Sequence, residues 1–298
     1  MSVQPPNTGE IDHAEDNDLY EFPLSPAQSA LWFINQLAPE SPAYNIPVCV
    51  RMVGELNQDA LQKSLDFLVQ RHEIFRTNYG NTRNGSIQLV QPQGQCSLLI
   101  EDLSGLDADA MEKSLDKKLV LEASRPFDLR SGPVLRANLF ILSNKEFYLL
   151  INVHHICVDH SAMGLCIKQL ESLYRCFSNN EEPDLPEQEL QYAEYVIWLK
   201  EQADPEALAN KIEVWKKRLQ GFSGVLNLPL DKPRPAVSSL LGAQYLFENT
   251  PAISSAVKAF SKSQSVSLYV SLLSAFKVLL HRYCQQDDVI VATPFANR

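Results

Sequence analysis

The chain has 298 residues, 45% hydrophobic and 21% charged, the balance of a soluble globular protein able to bury a substantial core. Its 36 acidic residues against 26 basic ones give a formal charge of −10, which argues against nucleic acid or an anionic membrane as the main partner. No apolar run is long enough to span a bilayer and no basic-then-apolar leader opens the chain, so a cytoplasmic location is expected.

Residues 1–19 carry Glu10, Asp12, Glu15, Asp16 and Asp18 with no Lys or Arg, and read as an acidic disordered tail. Order is expected from about Phe22. Ser25 before Pro26 is a helix start, a capping side chain followed by a residue suited to the first turn. Residues 48–53 read as a strand. Leu61, Leu65, Leu68 and Val69 then fall on one face of a helix. Residues 75–79 and 87–90 suggest a strand pair joined by a turn containing Gly and Asn.

Residues 134–142 and 147–153 read as two apolar strands around Ser143-Asn144-Lys145-Glu146. The second is nearly continuous in apolar residues, as in a strand buried on both faces. Met163, Cys166, Ile167, Leu170, Leu173, Tyr174 and Phe177 form the strongest amphipathic helix pattern. Residues 179–189 read as a loop, and 192–200 and 206–219 as helices. The prolines of 228–239 predict an extended linker. A strand at 243–247, helices at 252–263 and 267–283 and a strand at 289–292 complete the chain. The helix at 267–283 is apolar nearly all round, which predicts burial. The six cysteines, Cys49, Cys96, Cys157, Cys166, Cys176 and Cys284, form no C-x-x-C pair and read as reduced core residues.

The chemistry-bearing segment is His154-His155-Ile156-Cys157-Val158-Asp159-His160. Two histidines stand where a buried strand ends and an amphipathic helix begins, a place where α/β sheets hold ligands. Neighbours on an extended segment point to opposite sides, so only one of the two can face a given cavity. A neutral imidazole there can take a proton from an attacking amine or hydroxyl near pH 7, typically worth roughly 10²- to 10⁴-fold in rate. A structural histidine pair fits the same pattern. Asp159 suits a helix cap or an ion pair better than direct chemistry. With only His13, His72 and His281 elsewhere, no metal site is expected.

His154 to Asp159 matches an HHxxxD pattern, and further segments follow in order. They are Ser25-Pro26-Ala27-Gln28-Ser29-Ala30-Leu31-Trp32, Arg71-His72-Glu73-Ile74-Phe75-Arg76-Thr77, Pro126-Phe127-Asp128-Leu129 with Gly132-Pro133-Val134-Leu135-Arg136, and Tyr192-Ala193-Glu194-Tyr195-Val196-Ile197-Trp198. Leu228-Pro229-Leu230-Asp231-Lys232-Pro233-Arg234-Pro235 and Thr293-Pro294-Phe295-Ala296-Asn297-Arg298 complete the set. In these segments the chain resembles the condensation domains of nonribosomal peptide synthetases, members of the chloramphenicol-acetyltransferase-like superfamily. Two departures stand out: His160 occupies the place of the usual Gly, and the family's domains continue well past Arg298.

The resemblance implies an α/β fold of two acetyltransferase-like lobes set as a V, with the second lobe incomplete. Residues 20–190 would form the N-terminal lobe, 191–240 a helical and Pro-rich linker region, and 241–298 the start of the C-terminal lobe. It implies amide formation between an acyl or peptidyl thioester and an aminoacyl thioester. Both would be carried on the phosphopantetheine arms of upstream and downstream carrier domains, with adenylation domains as neighbours and no bound cofactor. His155 would deprotonate or position the amine, with His154 in support. Asp159 would pair with Arg71 or Arg76 to hold the loop, and the backbone N–H of His160 would stabilise an oxyanion. A stand-alone acyltransferase of the same superfamily, a non-catalytic carrier-docking fragment and a remnant or truncated gene product remain alternatives at this point, and with most of the second lobe absent the chain alone is expected to be a poor catalyst.

Overall fold

The computed structural model describes residues 20–293 except 84, 223, 237–241, 243 and 244. The acidic tail and most of the Thr293–Arg298 segment therefore lie outside the described residues. The chain divides into two compact units, one ending at Gln202 and one beginning at Ala203.

Two sheets organise the first unit. The smaller has three antiparallel strands in the order β1–β4–β3, with β1 at Tyr20–Pro23, β3 at Thr77–Thr82 and β4 at Gly85–Val90. The larger has four in the order β2–β7–β6–β5, with β2 at Asn45–Val53, β5 at Leu98–Asp102, β6 at Leu135–Ser143 and β7 at Glu146–His154. Its β5–β6 pair is parallel and the others antiparallel. The strand expected from residue 75 begins instead at Thr77, because Glu73–Arg76 winds into a 3-10 turn that brings the chain off the preceding helix.

Helix α1, Pro26–Leu37, starts at a reciprocal capping box. The Ser25 hydroxyl accepts from the Gln28 N–H, and the Gln28 side chain accepts from the Ser25 N–H. Its buried Trp32 donates from Nε1 to Asn81 on β3 at 2.8 Å, which ties the helix to the small sheet. Helix α2, Gln58–Arg71, is capped by Asn57 and turns Leu61, Leu65, Leu68 and Val69 inward, the face its spacing predicts. Helix α4, His160–Ser178, buries Met163, Leu170 and Leu173 and packs against α2. The two helices meet the inward residues Leu149, Ile151 and Val153 of β7 in one core cluster. Each such side chain contributes roughly 1.5–3 kcal/mol by leaving water. Helix α3, Ala108–Ala123, covers the opposite face through Leu115, against Phe140 and Leu150. Strand β7 is thus buried on both faces, as its apolar run predicts. Helix α5, Tyr192–Glu201, follows the loop after α4 and contacts β1.

The second unit contains α6, Pro205–Arg218, α7, Pro251–Ser263, and α8, Leu268–Cys284. Residues 228–236 form no helix or strand, as the prolines predict. Three expectations need correction here. Residues 245–247 form no strand, the first residues of that expected element lying outside those described. Residues 289–292 form none either, since a strand exists only in a ladder and no described strand lies beside them. Helix α8 is not buried: Tyr269, Leu272, Phe276 and Tyr283 are all exposed and only Cys284 is enclosed. An all-round apolar pattern marks a helix that can be buried without supplying what buries it. Among the described residues, no single helix is long and apolar enough to cross a membrane. The cysteines also divide: Cys96, Cys157 and Cys284 are buried, but Cys49 is exposed on the outer side of β2.

Candidate active site

Strand β7 ends at His154, directly opposite Asn45 at the start of β2. The ladder stops there, and the chain turns tightly through Ile156 and Cys157 before α4 begins at His160. The turn is held from inside. The His154 Nδ1 accepts from the Ile156 N–H at 3.1 Å, and the His154 carbonyl accepts from the Cys157 N–H at 3.0 Å. Apolar Ile156, Cys157 and Val158 all point into the core and anchor it.

The two histidines separate as alternation requires. His154 is 3% exposed, with the Phe127 ring edge-on to it at 6.1 Å between centroids. Burial, and then the neighbouring His155, push its pKa down to about 4, so it is a neutral imidazole near pH 7. Its Nδ1 must then be the unprotonated nitrogen, since it accepts a hydrogen bond. His155 is only half-buried. Its main-chain N–H donates to the Tyr44 carbonyl at 2.8 Å, and the Tyr44 ring lies edge-on to its imidazole at 6.5 Å. The Nδ1 of His155 is enclosed and has no hydrogen-bond partner among the described residues.

Asp159 is the N-cap of α4, its Oδ1 accepting from the Ala162 N–H at 2.7 Å. The expected ion pair with Arg71 or Arg76 is not formed. Arg71 donates from Nη2 to the Pro186 carbonyl. Arg76 donates to the Gln91 carbonyl and, at 3.2 Å, to Glu73. The reason is local. Glu73 stands three residues before Arg76 on the 3-10 turn, where such positions eclipse, and loop carbonyls lie closer to both guanidinium groups than Asp159 does. Arg71 and Arg76 therefore brace the end of α2 and the margin of β4. His160 is the first residue of α4, with its side chain exposed. In the first turn no carbonyl of the helix can reach its N–H.

Three supporting residues carry no role in the sequence reading: Tyr44 beside both rings, Phe127 against His154, and Arg136 over the Phe127 ring at 3.9 Å. The Arg136 guanidinium also donates to the Pro126 carbonyl at 2.9 Å. The signal was present in the Pro126–Leu129 and Gly132–Arg136 segments, which stand among the matched stretches without indicating what they hold. Among the described residues, no cluster of His, Cys, Asp and Glu side chains is arranged to hold a metal.

A family model described as "Condensation domain" matches residues 19–298. A linear gramicidin synthase from Brevibacillus parabrevis is 39% identical over 93% of this chain, which spans 5% of that protein. Surfactin synthase subunit 2 from Bacillus subtilis is 32% identical over 93% of the chain, spanning 7% of that protein. The chain thus corresponds to a small fraction of these curated relatives. Among solved structures, a four-domain nonribosomal peptide synthetase bound to AMP and glycine aligns over 96% of this chain and 21% of its own. Its TM-score of 0.82 at 21% identity is a likeness of fold. The SgcC5 protein from Streptomyces globisporus is 29% identical with a TM-score of 0.70, over 90% of this chain and 61% of its own. With the two histidines at the end of β7, the helix capped by Asp159 and a family match over nearly its whole length, the chain belongs to the condensation-domain family of nonribosomal peptide synthetases.

Proposed function

We propose that this domain forms an amide bond between two carrier-bound thioesters. The α-amine of the downstream aminoacyl thioester attacks the carbonyl of the upstream acyl or peptidyl thioester. The C–N bond forms, the C–S bond breaks, and the upstream pantetheine leaves as a thiol. His155 takes up or orients the amine proton through Nε2, and His154 supports the turn as a neutral imidazole. The oxyanion formed at the attacked carbonyl suits the first-turn N–H groups of α4, starting with His160, where the helix dipole adds favourable potential. Catalysis through this set is mostly positioning, which can lower a barrier by several kcal/mol. The phosphopantetheine belongs to the carrier domains, which are the partners this reading requires, with adenylation domains as their neighbours.

The observation that carries the reading is the asymmetry of the pair. One histidine is sealed and neutral, and the other is half-exposed, with its backbone fixed and one ring nitrogen enclosed. A stand-alone acyltransferase would use the same imidazole on a free thioester, so substrate form separates the two readings. The test supplies a complete version of the domain with donor and acceptor thioesters on their carrier proteins, and in parallel as coenzyme A thioesters. Amide product from the carrier-bound pair, with little from the coenzyme A forms, is expected. Equal or faster turnover of the coenzyme A forms would contradict the carrier reading.

A further inference from the structure

A run of buried polar side chains connects α1 to the His154–Asp159 turn, and the chemistry above does not use it. Gln28, Tyr79 and Gln88 are each at most 1% exposed. Gln28 Nε2 donates to Gln88 Oε1 at 3.2 Å, and Gln88 Nε2 donates to the Pro23 carbonyl at 3.0 Å. The Tyr79 phenol is buried with this pair. That phenol oxygen lies 3.8 Å from Cys157 Sγ. Cys157 is two residues beyond His155, and its N–H closes the turn onto the His154 carbonyl.

A phenylalanine at position 79 would fill the same space without a polar atom to satisfy. Burying a hydroxyl is costly unless it is hydrogen-bonded, so this one stands where it fixes a geometry. Burial holds the phenol well above its usual pKa, which keeps its proton in place. Tyr79 is itself fixed at both ends. Its N–H donates to the Leu129 carbonyl at 2.8 Å, and its ring packs near Trp32 at 6.3 Å.

We propose that Tyr79 is a positioning residue, whose buried hydroxyl, set against Cys157, fixes the turn that carries His155. This rests on the reading of His155 as the group that handles the amine. It also gives the Ser25–Trp32 segment a role: Gln28 caps its own helix with one end of its amide and donates to Gln88 with the other, while Trp32 packs near the Tyr79 ring.

The test uses the whole chain with carrier-bound substrates and four variants, Tyr79→Phe, Cys157→Ala, Cys157→Ser and the Tyr79→Phe/Cys157→Ala double. Losing one hydrogen bond that orients the reacting group should lower kcat about five- to tenfold in Tyr79→Phe and in Cys157→Ala, with KM unchanged. The double variant should be no slower than the slower single, because both remove one contact. Cys157→Ser keeps a polar partner for the phenol and should retain at least half the wild-type kcat. A Tyr79→Phe kcat within twofold of wild type, or losses that multiply in the double, would overturn the proposal. A second readout needs no turnover: acylation of His155 by diethyl pyrocarbonate, scored against a His155→Ala background. Its rate should change severalfold in Tyr79→Phe with circular dichroism unaltered, and an unchanged rate overturns the proposal even if turnover is absent. If His155→Ala keeps full turnover, the reading of His155 as the group that handles the amine falls by itself while the amide reading stands, and the acylation rate still decides the role of Tyr79.

Discussion

At the residue scale, one backbone step reverses the direction of the adjacent histidines and seals only the first of them. His154 has a native pKa of about 4, below the value of roughly 6.5 expected for an unfolded chain. Below pH 6.5 the unfolded chain therefore binds a proton that the native state refuses. The stabilisation is complete above pH 6.5 and is lost as pH falls towards 4. It amounts to at most about 3 kcal/mol at full expression. Urea midpoints measured from pH 7.5 to 4.5 should fall for the wild type and fall less steeply for His154→Gln. Parallel curves would show that another group controls the acid limb. His72 also has a lowered pKa through burial and adds a smaller share of the same sign, which the His154→Gln comparison leaves in place.

Asp159 belongs to the same scale. An aspartate before a helix was legible as a cap, and the structure makes it one. The choice of Arg71 or Arg76 as its partner was not legible, because sequence spacing does not reveal which carbonyls lie closer to a guanidinium group. Loss of the cap in Asp159→Ala should cost about 1 kcal/mol, and Asp159→Asn should recover most of that share. A total loss of roughly 3–5 kcal/mol would show that a buried ion pair acts as well. Thermal unfolding of the two variants beside wild type measures both, and an Asp159→Asn protein no more stable than Asp159→Ala would show that the cap contributes little.

At the scale of elements, most helices and strands of the first unit follow from periodicity. The reason is packing: β7 is covered on both faces and α2 on one, and each carries the pattern its cover requires. Leu65 is fully enclosed between α2 and the sheet core, so Leu65→Ala should lower stability by about 2–5 kcal/mol through lost transfer energy and the cavity left behind. A change under about 1 kcal/mol in unfolding free energy would mean that the α2 seam is not packed as described. The second unit was less legible for the same physical reason. Residues 245–247 and 289–292 have strand-like composition, but a strand requires a neighbour, and α8 has apolar residues all round with nothing in the described unit to cover them. Such a helix favours association. Phe276→Lys and Leu272→Lys together should reduce self-association of the chain in sedimentation experiments, and unchanged association would place the sticky surface elsewhere.

At the scale of the whole molecule, family membership was legible because matched segments occur in order from Ser25 to Trp198, not because of HHxxxD alone. The structure explains why those segments are spread so widely. Ser25 and Gln28 cap α1, and Gln28 reaches Gln88 on β4. Tyr192 lies 3.1 Å from the Ser25 hydroxyl. Gln191 donates from Nε2 to the Arg71 carbonyl at 3.0 Å. Phe127 faces His154. Distant stretches of sequence thus meet within the first unit. The central claim is that His155, and not its neighbour, handles the attacking amine. The most direct measurement is the rate of amide formation by His155→Ala against wild type, with saturating carrier-bound thioesters and carrier affinity measured in parallel. A fall of roughly 10²- to 10⁴-fold with carrier binding unchanged is predicted, whereas a His155→Ala rate equal to that of the wild type would contradict it.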